Sequence, residues 1–312
     1  QKAWLSDQTF AEKYGFETVD TTPDGYRLMS LSFDGTKPRF AENAKRQEIE
    51  KLPRIRSVFC SMEDYGTLSE RINGNVDAAV LLAWNGIRGQ ARMNAVLQRQ
   101  NEVCNTGLLL QLCKLGCQTI MTAGSQAEYG PWYNEQAQSE EAPTRPNTEY
   151  GKSKLRFYHI AHTFCRGQSI RLIEPRIFSV YGPNDNESTL IMSLLRLMLR
   201  NEPCHMTACI QMWDYVYIDD VVTGLVKLLT EDHPGGVYNF GSGDCRPLKE
   251  YVEEMYRITG STSMLYYGAV PYPATGMVNI HPDISKLRSI GWTPTVTFAE
   301  GIQRIIKEKD RW

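Results

Sequence analysis

Short apolar runs alternate with amphipathic stretches along most of the chain. The β-like runs are residues 56–60, 77–84, 118–125, 169–178 and 236–243. Helical periodicity fills the intervals between them, most clearly over residues 93–115 and 152–165. The runs are apolar on both faces, as in strands that are covered by helices on each side. This rhythm predicts an α/β fold built on a doubly wound, mostly parallel sheet.

Beyond Gly182 the alternation becomes irregular. A helical pattern covers residues 190–200, and a proline-rich stretch follows at 269–276. We therefore expect a smaller C-terminal lobe, formed roughly by residues 183–212 and 246–312.

The first 50 residues have a different pattern. Residues 15–20 and 26–33 read as two strands joined by Thr22-Pro23-Asp24-Gly25, in which proline presets φ and glycine accepts a positive φ. Leu52-Pro53 is a plausible junction. The sequence thus predicts an N-terminal β-hairpin segment, residues 1–50, that is foreign to a module spanning residues 51–312.

Charge, apolar run length and cysteine content indicate which partners and which location to expect. The 312 residues carry 34 basic and 36 acidic side chains, so nucleic-acid binding is not expected. The longest purely apolar run, Ala78 to Trp84, is far shorter than a membrane span, so no membrane association is expected. Eight cysteines lie mostly in apolar segments without metal-ligand spacing, which predicts reduced thiols, no metal and a cytoplasmic location.

The candidate chemistry centres on Tyr150 and Lys154, four residues apart at the start of a helical stretch and therefore on one helix face. With 16 tyrosines in the chain, roughly one such spacing is expected by chance, so the pair alone means little. Neighbouring motifs support a catalytic role for the pair. They are a strand end with the sequence AGS (123–125), a following YG (129–130), and EPRIF (174–178) before YGP (181–183).

Several motifs in the same order resemble the extended short-chain dehydrogenase/reductase family, the NAD(P)-dependent nucleotide-sugar epimerases, dehydratases and reductases. The matching pieces are VDAAVLLAW, TAGSQAEYG, YGKSK, EPRIFSVYGP, WDYVYIDDVV, VYNFGSG and DISKLRSIGWTP. They extend over about residues 54–312. The resemblance implies a Rossmann-like sheet, NAD or NADP as cofactor, a nucleotide sugar as substrate and no metal.

The resemblance also implies the catalytic residues. Tyr150 is the acid/base at the reacting hydroxyl or ketone, Lys154 lies beside it, and Ser125 hydrogen-bonds the same oxygen. The chemistry of these groups agrees, because a phenol titrates near 10 and an adjacent ammonium favours the phenolate. Nicotinamide takes the hydride and Tyr150 takes the proton.

Weaker roles follow for other residues. Residues implied near the cofactor, besides Tyr150 and Lys154, are Ser61, Met62, Leu82, Ala83, Trp84, Arg176 and Phe178; those implied near the substrate are Gln126, Ser179 and Trp213. Ser61 stands where the family usually has an aspartate near the adenine, and Trp84 is equally well explained as a core aromatic. Trp213 replaces an arginine that grips the substrate diphosphate in many members. Either another cation binds the diphosphate in this protein, or its substrate differs from that of those members.

The residues that directly follow Ser125 distinguish between the reactions of this family. Family dehydratases place an Asp-Glu pair directly after the serine or threonine, because elimination of water needs a second acid and base. Here those positions hold Gln126 and Ala127, and Glu128 comes one residue too late. The sequence therefore predicts a 4-epimerase or a ketone reductase.

The opening of the family is not recognisable. No GxxGxxG loop occurs, so the module looks N-terminally truncated, its NAD or NADP preference is not readable and weak dinucleotide binding is expected. Residues 1–50 instead resemble the closing part of a GNAT-superfamily N-acetyltransferase. Two alternatives to the enzyme thus stay open: a non-catalytic remnant that keeps the nucleotide-sugar lobe, and an acetyltransferase fragment. A homodimer is also an open alternative.

Overall fold

The computed structural model describes residue 58, residues 60–273 and residues 276–309. The predicted hairpin, the whole GNAT-like segment 1–50 and most of the run 56–60 lie outside these residues. The chain divides into two compact units. The first contains residues up to Thr122 together with Thr148–Leu172, and the second contains Ala123–Asn147 and the chain from Ile173.

The first unit is built from parallel strands and helices. Its strands are β1 (Ala78–Leu81) and β2 (Thr119–Thr122), and its helices are α1 (Leu68–Arg71), α2 (Ala95–Lys114) and α3 (Glu149–Gly167). Ala78 pairs with Thr119 in parallel register. Side-chain caps fix where the long helices begin: Asn94 accepts from the Leu97 N–H and Thr148 accepts from the Gly151 N–H. The prediction of helices over 93–115 and 152–165 is confirmed.

Helix α2 is not amphipathic in the usual sense. Its buried side chains in the first half are polar: Gln98, Asn101, Glu102 and Asn105. Val96, Val103 and Leu110, spaced by seven residues, are exposed. The interior face of α2 is therefore a hydrogen-bonding face, which becomes important at the candidate site.

The second unit also has a parallel core. Strand β3 (Gly124–Ser125) pairs with β4 (Arg171–Ile177), and β4 pairs with β9 (Gly236–Phe240), each in parallel. Its remaining strands are β5 (Ser179–Tyr181), β6 (Cys204–His205), β7 (Met212–Trp213), β8 (Tyr215–Tyr217), β10 (Arg246–Pro247) and β11 (Leu265–Tyr266). Its helices are α4 (Leu190–Leu199), α5 (Ile218–Thr230), α6 (Leu248–Thr259), α7 (Ser285–Ser289) and α8 (Phe298–Lys309).

A large apolar core in the second unit holds α4, α6 and α8 together. It includes Leu195, Met198, Met255 and Ile302, all almost completely buried. The predicted helix 190–200 and the strands predicted at 77–84, 169–178 and 236–243 are confirmed, within a few residues at their ends. The run 118–125 divides at Ala123 into two short strands, β2 and β3.

Two further observations concern the state of the cysteines and the length and polarity of the helices. All eight cysteines carry free thiols, in agreement with the prediction from their spacing. No helix among the described residues is both long enough and apolar enough to span a bilayer.

Candidate active site

Tyr150 and Lys154 lie in the first two turns of α3, and both side chains are buried. The Thr148 cap sets the start of this helix, so the i, i+4 spacing places the two residues on one face. Between them, the fully buried Ser153 hydroxyl donates to Glu102 Oε1 at 2.6 Å and lies 2.7 Å from the Gln98 carbonyl oxygen. Helix α3 is thereby fixed to the polar face of α2.

Trp84 lies directly against Lys154. The Lys154 ammonium is 3.9 Å from the centre of the indole ring, and Phe157 packs on the same indole at 5.8 Å. The indole Nε1–H donates to Gln98 Oε1 at 2.8 Å. A buried cation over an indole is worth about 2 kcal/mol. Trp84 is therefore a core aromatic that also contacts a predicted catalytic residue, and its place near the cofactor stays a prediction.

Gln98 is the centre of this arrangement. It is completely buried, and its amide donates to the carbonyl oxygens of Gly86 at 2.9 Å and Ala91 at 3.1 Å. Asn101 holds the same loop by accepting from the Asn85 N–H at 2.9 Å. Gly86 has φ +72°, and an added Cβ would stand 2.9 Å from the Gln98 amide nitrogen. The loop after β1 is therefore shaped around the Gln98 side chain.

A second cation faces Tyr150. The Arg92 guanidinium lies 4.6 Å from the centre of the phenol ring. Burial lowers the pKa of Arg92, and the neighbouring Tyr150 opposes that shift. A positive charge beside a phenol favours its anionic form, so the surroundings of Tyr150 suit a proton acceptor.

Glu102 supports α3 from α2. Its buried carboxylate pairs with Arg156 at 2.6 Å and with Arg99 at 2.7 Å, and both arginines are substantially exposed. The charge of Glu102 is thus balanced by cations that reach solvent.

In the second unit, Ser125 caps the short 3-10 helix Gln126–Glu128. Its Oγ accepts from the Ala127 N–H at 3.2 Å, and its own N–H donates to Glu128 Oε1 at 2.8 Å. This reciprocal capping box fixes both the backbone and the hydroxyl of Ser125. Because Ala127 occupies an acceptor position of Oγ, the hydroxyl proton remains available to another oxygen.

Glu128 belongs to a buried cluster with Arg176 and Glu174. Arg176 Nε lies 3.2 Å from Glu128 Oε2 and 2.9 Å from Glu174 Oε1, and all three side chains are almost completely buried. Burial, followed by the charge of Glu128, raises the pKa of Glu174 well above its usual value. Burial would lower the pKa of Arg176, but the two carboxylates raise it.

Tyr129 extends this cluster. Arg176 stacks on its ring at 4.5 Å, and the Tyr129 hydroxyl donates to Asn239 Oδ1 at 2.7 Å. Asn239 in turn donates from its N–H to Glu140 Oε1 at 2.8 Å. Burial raises the pKa of Tyr129 to about 12, against the lowering effect of Arg176. Tyr129 is therefore a neutral donor and not a second proton acceptor.

Trp213 lies on β7 directly opposite Arg246 of β10. Its indole Nε1 is buried and has no hydrogen-bond partner among the described residues. Arg246 is held by Glu254 and by Asp244, and it stacks 4.0 Å from the centre of the Tyr251 ring. The cation opposite Trp213 thus already has two carboxylate partners.

The remaining predicted residues have simpler surroundings. Ser61 and Met62 are buried, and the Ser61 hydroxyl accepts from the Asp64 N–H at 3.1 Å. Leu82 and Ala83 are exposed after β1. Phe178 is buried 6.1 Å from Tyr129, while Gln126 and Ser179 are half-buried. The Arg176 guanidinium, predicted near the cofactor, is held in the buried ion cluster.

Sequence reasoning missed Gln98, Glu102, Arg92 and Glu174. The signal for the first two was present, because polar residues 98, 101, 102 and 105 recur at helical spacing opposite the apolar 96, 103 and 110. Such a pattern indicates a helix whose inner face is polar. Nothing in the spacing of Arg92 or Glu174 indicates their partners.

The sequence matches the model of one protein family over most of its length. Residues 23–241 match the NAD dependent epimerase/dehydratase family, a range that begins within the segment predicted to be foreign. CDP-abequose synthase of Salmonella muenchen is 29% identical over 52% of this chain and 56% of that protein. dTDP-4-dehydro-6-deoxyglucose reductase of Escherichia coli is 27% identical over 67% of this chain and 66% of that protein. The chain spans about half the length of several curated relatives it matches, including human dTDP-D-glucose 4,6-dehydratase, of which it covers 50% at 24% identity.

Solved structures share the fold. UDP-glucuronic acid 4-epimerase of Bacillus cereus in complex with NAD aligns with TM-score 0.70 and 22% identity over 84% of this chain and 82% of that one. RMD of Pseudomonas aeruginosa complexed with NADPH aligns with TM-score 0.73 and 19% identity over 86% and 94%. The predicted Rossmann-like α/β fold with parallel strands is therefore confirmed.

Proposed function

Because the chain belongs to the NAD dependent epimerase/dehydratase family, we propose that it is an enzyme of nucleotide-sugar metabolism, a 4-epimerase or a ketone reductase. In this proposal Ser125, Tyr150 and Lys154 act on the same sugar oxygen. The observation that carries it is the pair of buried polar residues in the first two turns of α3, each beside a further aromatic or cationic group.

Tyr150 is the proposed acid/base. Arg92 and Lys154 are the cations that favour its anionic form, and the anion accepts the proton of the sugar hydroxyl as the carbon–hydrogen bond breaks. In the reverse direction the phenol returns the proton to the carbonyl oxygen. Ser125 donates a hydrogen bond to that oxygen, a role that its occupied acceptor position favours.

The cofactor in this proposal is NAD or NADP. A buried ammonium and a buried phenol on one helix face form a donor set that fits the hydroxyls of a nicotinamide ribose, so Lys154 and Tyr150 would hold that end of the cofactor. When bound, the nicotinamide exchanges a hydride with the sugar carbon. Trp84 would keep the ammonium in place while the ribose binds.

Elimination of water is not part of the proposal. Gln126 and Ala127 stand at the two positions that a dehydratase uses, and Glu128 is fully buried against Ser125 and Arg176. A carboxylate held in this way is not available as the second acid/base. The relatives include dehydratases, so product analysis has to decide this point.

The proposed binding partner is a nucleotide-linked sugar. We also propose that the protein is cytoplasmic and that it forms a homodimer. The eight free thiols support the location. The exposed stripe of Val96, Val103 and Leu110 on α2 supports the dimer. Light scattering of the purified protein would detect it.

The experiment is a substrate panel. The purified chain is incubated with UDP-, dTDP-, CDP- and GDP-sugars at cofactor concentrations high enough to offset weak binding, and products are identified by NMR. The proposal predicts a C4 epimer or a reduced sugar. A 4-keto-6-deoxy sugar as the main product would contradict the exclusion of elimination. Absence of both turnover and calorimetric dinucleotide binding would favour the non-catalytic remnant.

A further inference from the structure

The buried cluster of Glu128, Arg176 and Glu174 carries one formal positive and two formal negative charges. Its side chains are 0%, 3% and 2% exposed. A buried anion without a compensating charge costs several kcal/mol. The cluster is therefore electrically balanced only when one of the two carboxyl groups keeps a proton.

The neighbours that the structure describes around the cluster are neutral or acidic. Tyr129, under the Arg176 guanidinium, is neutral, and Glu140, which is linked to Tyr129 through Asn239, would add negative charge. On β9, the residue opposite Glu174 is the uncharged Val237. Burial and the charge of Glu128 raise the pKa of Glu174, which agrees with a proton retained there.

The same cluster fixes Ser125. Glu128 uses Oε1 for the Ser125 N–H and Oε2 for Arg176, so each oxygen has a separate partner. Gly124 provides the space, because an added Cβ would lie 2.8 Å from Glu174 Cγ and 3.1 Å from Arg176 Cγ. The glycine before the serine and the acid on β4 therefore depend on each other.

We propose that Glu128 is a positioning residue for Ser125, and that a proton kept by Glu174 holds this support in place. This inference rests on the proposed function for its catalytic consequence. Loss of the Glu174 proton leaves two anions against one cation, and their repulsion moves Glu128 away from the Ser125 N–H. Ser125 then loses the orientation that its hydroxyl needs to donate to the sugar oxygen.

The sign of the pH effect follows from the retained proton. A carboxyl group whose pKa is raised in the folded state contributes stability fully below its unfolded value, and that contribution is lost as pH rises toward the folded value. The cluster is therefore weaker above the pH at which Glu174 loses its proton than below it. Glu174→Gln replaces the protonated acid by an amide that is neutral at every pH, which removes this dependence.

Two spectroscopic readouts test the proposal without substrate. Infrared spectra of the wild type are expected to show the carbonyl band of a protonated carboxylic acid at neutral pH that disappears in Glu174→Gln. The Ser125 amide resonance is expected to shift with a single titration, above the usual range of a carboxyl group, in the wild type and to stay constant in Glu174→Gln. Glu187→Gln, on an exposed acid, is the matched control. A wild-type Ser125 resonance that is independent of pH, with no protonated-acid band, would overturn the proton kept by Glu174.

Activity then tests the positioning role. Glu128→Ala is expected to lower kcat about 10- to 100-fold with little change in KM, because small misplacements of a reacting group cost this much. Glu128→Gln keeps an acceptor for the Ser125 N–H and is expected to restore most of that loss. Equal activity of Glu128→Ala and the wild type would refute the role. If no nucleotide sugar is turned over, the proposed function fails, while the infrared and NMR results still decide the proton.

Discussion

The two compact units hold their predicted catalytic residues by different physical means. Beside Lys154 the structure describes a neutral support, the indole of Trp84, which is itself bonded to the amide of Gln98. Around Ser125 the supporting groups are charged and buried, with Arg176 between Glu128 and Glu174. Glu102, a buried acid of the first unit, pairs with two arginines that are substantially exposed.

This difference determines what each support tolerates. A neutral hydrogen bond contributes roughly 0.5–1.5 kcal/mol, and an unsatisfied partner costs roughly 1–3 kcal/mol. Removing one member of a buried ion pair costs about 3–5 kcal/mol, since it leaves a buried charge without compensation. The region of Ser125 is therefore expected to be the more sensitive to substitution and to pH.

The largest expected effect is on catalysis in the first unit. Tyr150→Phe removes the proposed acid/base, and kcat is expected to fall about 10²- to 10⁴-fold, the usual contribution of such a group. The folded state is expected to keep its stability, because Arg92 still packs on the phenyl ring. Tyr158→Phe, two turns along the same helix, is the control. Unchanged turnover in Tyr150→Phe would refute the assignment.

The second effect is on stability in the second unit. Arg176→Met leaves Glu128 and Glu174 buried without their cation, so the free energy of unfolding is expected to fall by about 3–5 kcal/mol. Urea unfolding measures it. Arg196→Met removes an exposed arginine 3.9 Å from Glu187 and is expected to cost less than about 1 kcal/mol. Equal losses in the two variants would remove the distinction drawn between the units.

A smaller loss is expected for the neutral support. Gln98→Leu leaves the Gly86 carbonyl oxygen and the Trp84 indole N–H without their bonds to Gln98, so stability is expected to fall by about 1–3 kcal/mol. Gln100→Leu, on the same helix with a single exposed bond to Glu63, is the control. A loss as large as that of Arg176→Met would show that the neutral network is no more tolerant.

The smallest effect is expected at Trp84. Trp84→Phe keeps a ring beneath Lys154 but loses the bond to Gln98, and the weaker cation–π contact and the lost bond together predict about 1–2 kcal/mol in stability. Trp132→Phe, whose indole bonds to the exposed Gln136 carbonyl, is expected to change stability by a few tenths of a kcal/mol. Thermal unfolding of both variants compares them.

Much of the fold was predictable because it depends on local patterns. The apolar runs of β1, β4 and β9 and the helical periodicity of α2 and α3 are visible in the sequence, and the α/β class follows from their alternation. The division of one run at Ala123 was not predictable, because it depends on pairing with distant strands: β2 pairs with β1, and β3 pairs with β4.

The supports of the candidate site were less predictable because they join distant residues. Glu128 was recognised as misplaced for elimination. Its bond to the Ser125 N–H belongs to a local capping box, whereas its ion pair with Arg176 depends on the register of β3 with β4. Gln98 and Trp84 are 14 residues apart, and only the folded loop after β1 brings them together. The assignment of Ser125, Tyr150 and Lys154 to one site stays a prediction.

The central proposal is that Ser125 and Tyr150 act on one oxygen. A double-mutant cycle of Ser125→Ala and Tyr150→Phe, with kcat/KM measured on the nucleotide sugar selected by the substrate panel, tests it most directly. Groups that act as a unit in one transition state give strongly non-additive losses. The account predicts that the double variant is at most a few-fold slower than Tyr150→Phe alone. A double variant that shows the full product of the two single losses would contradict it.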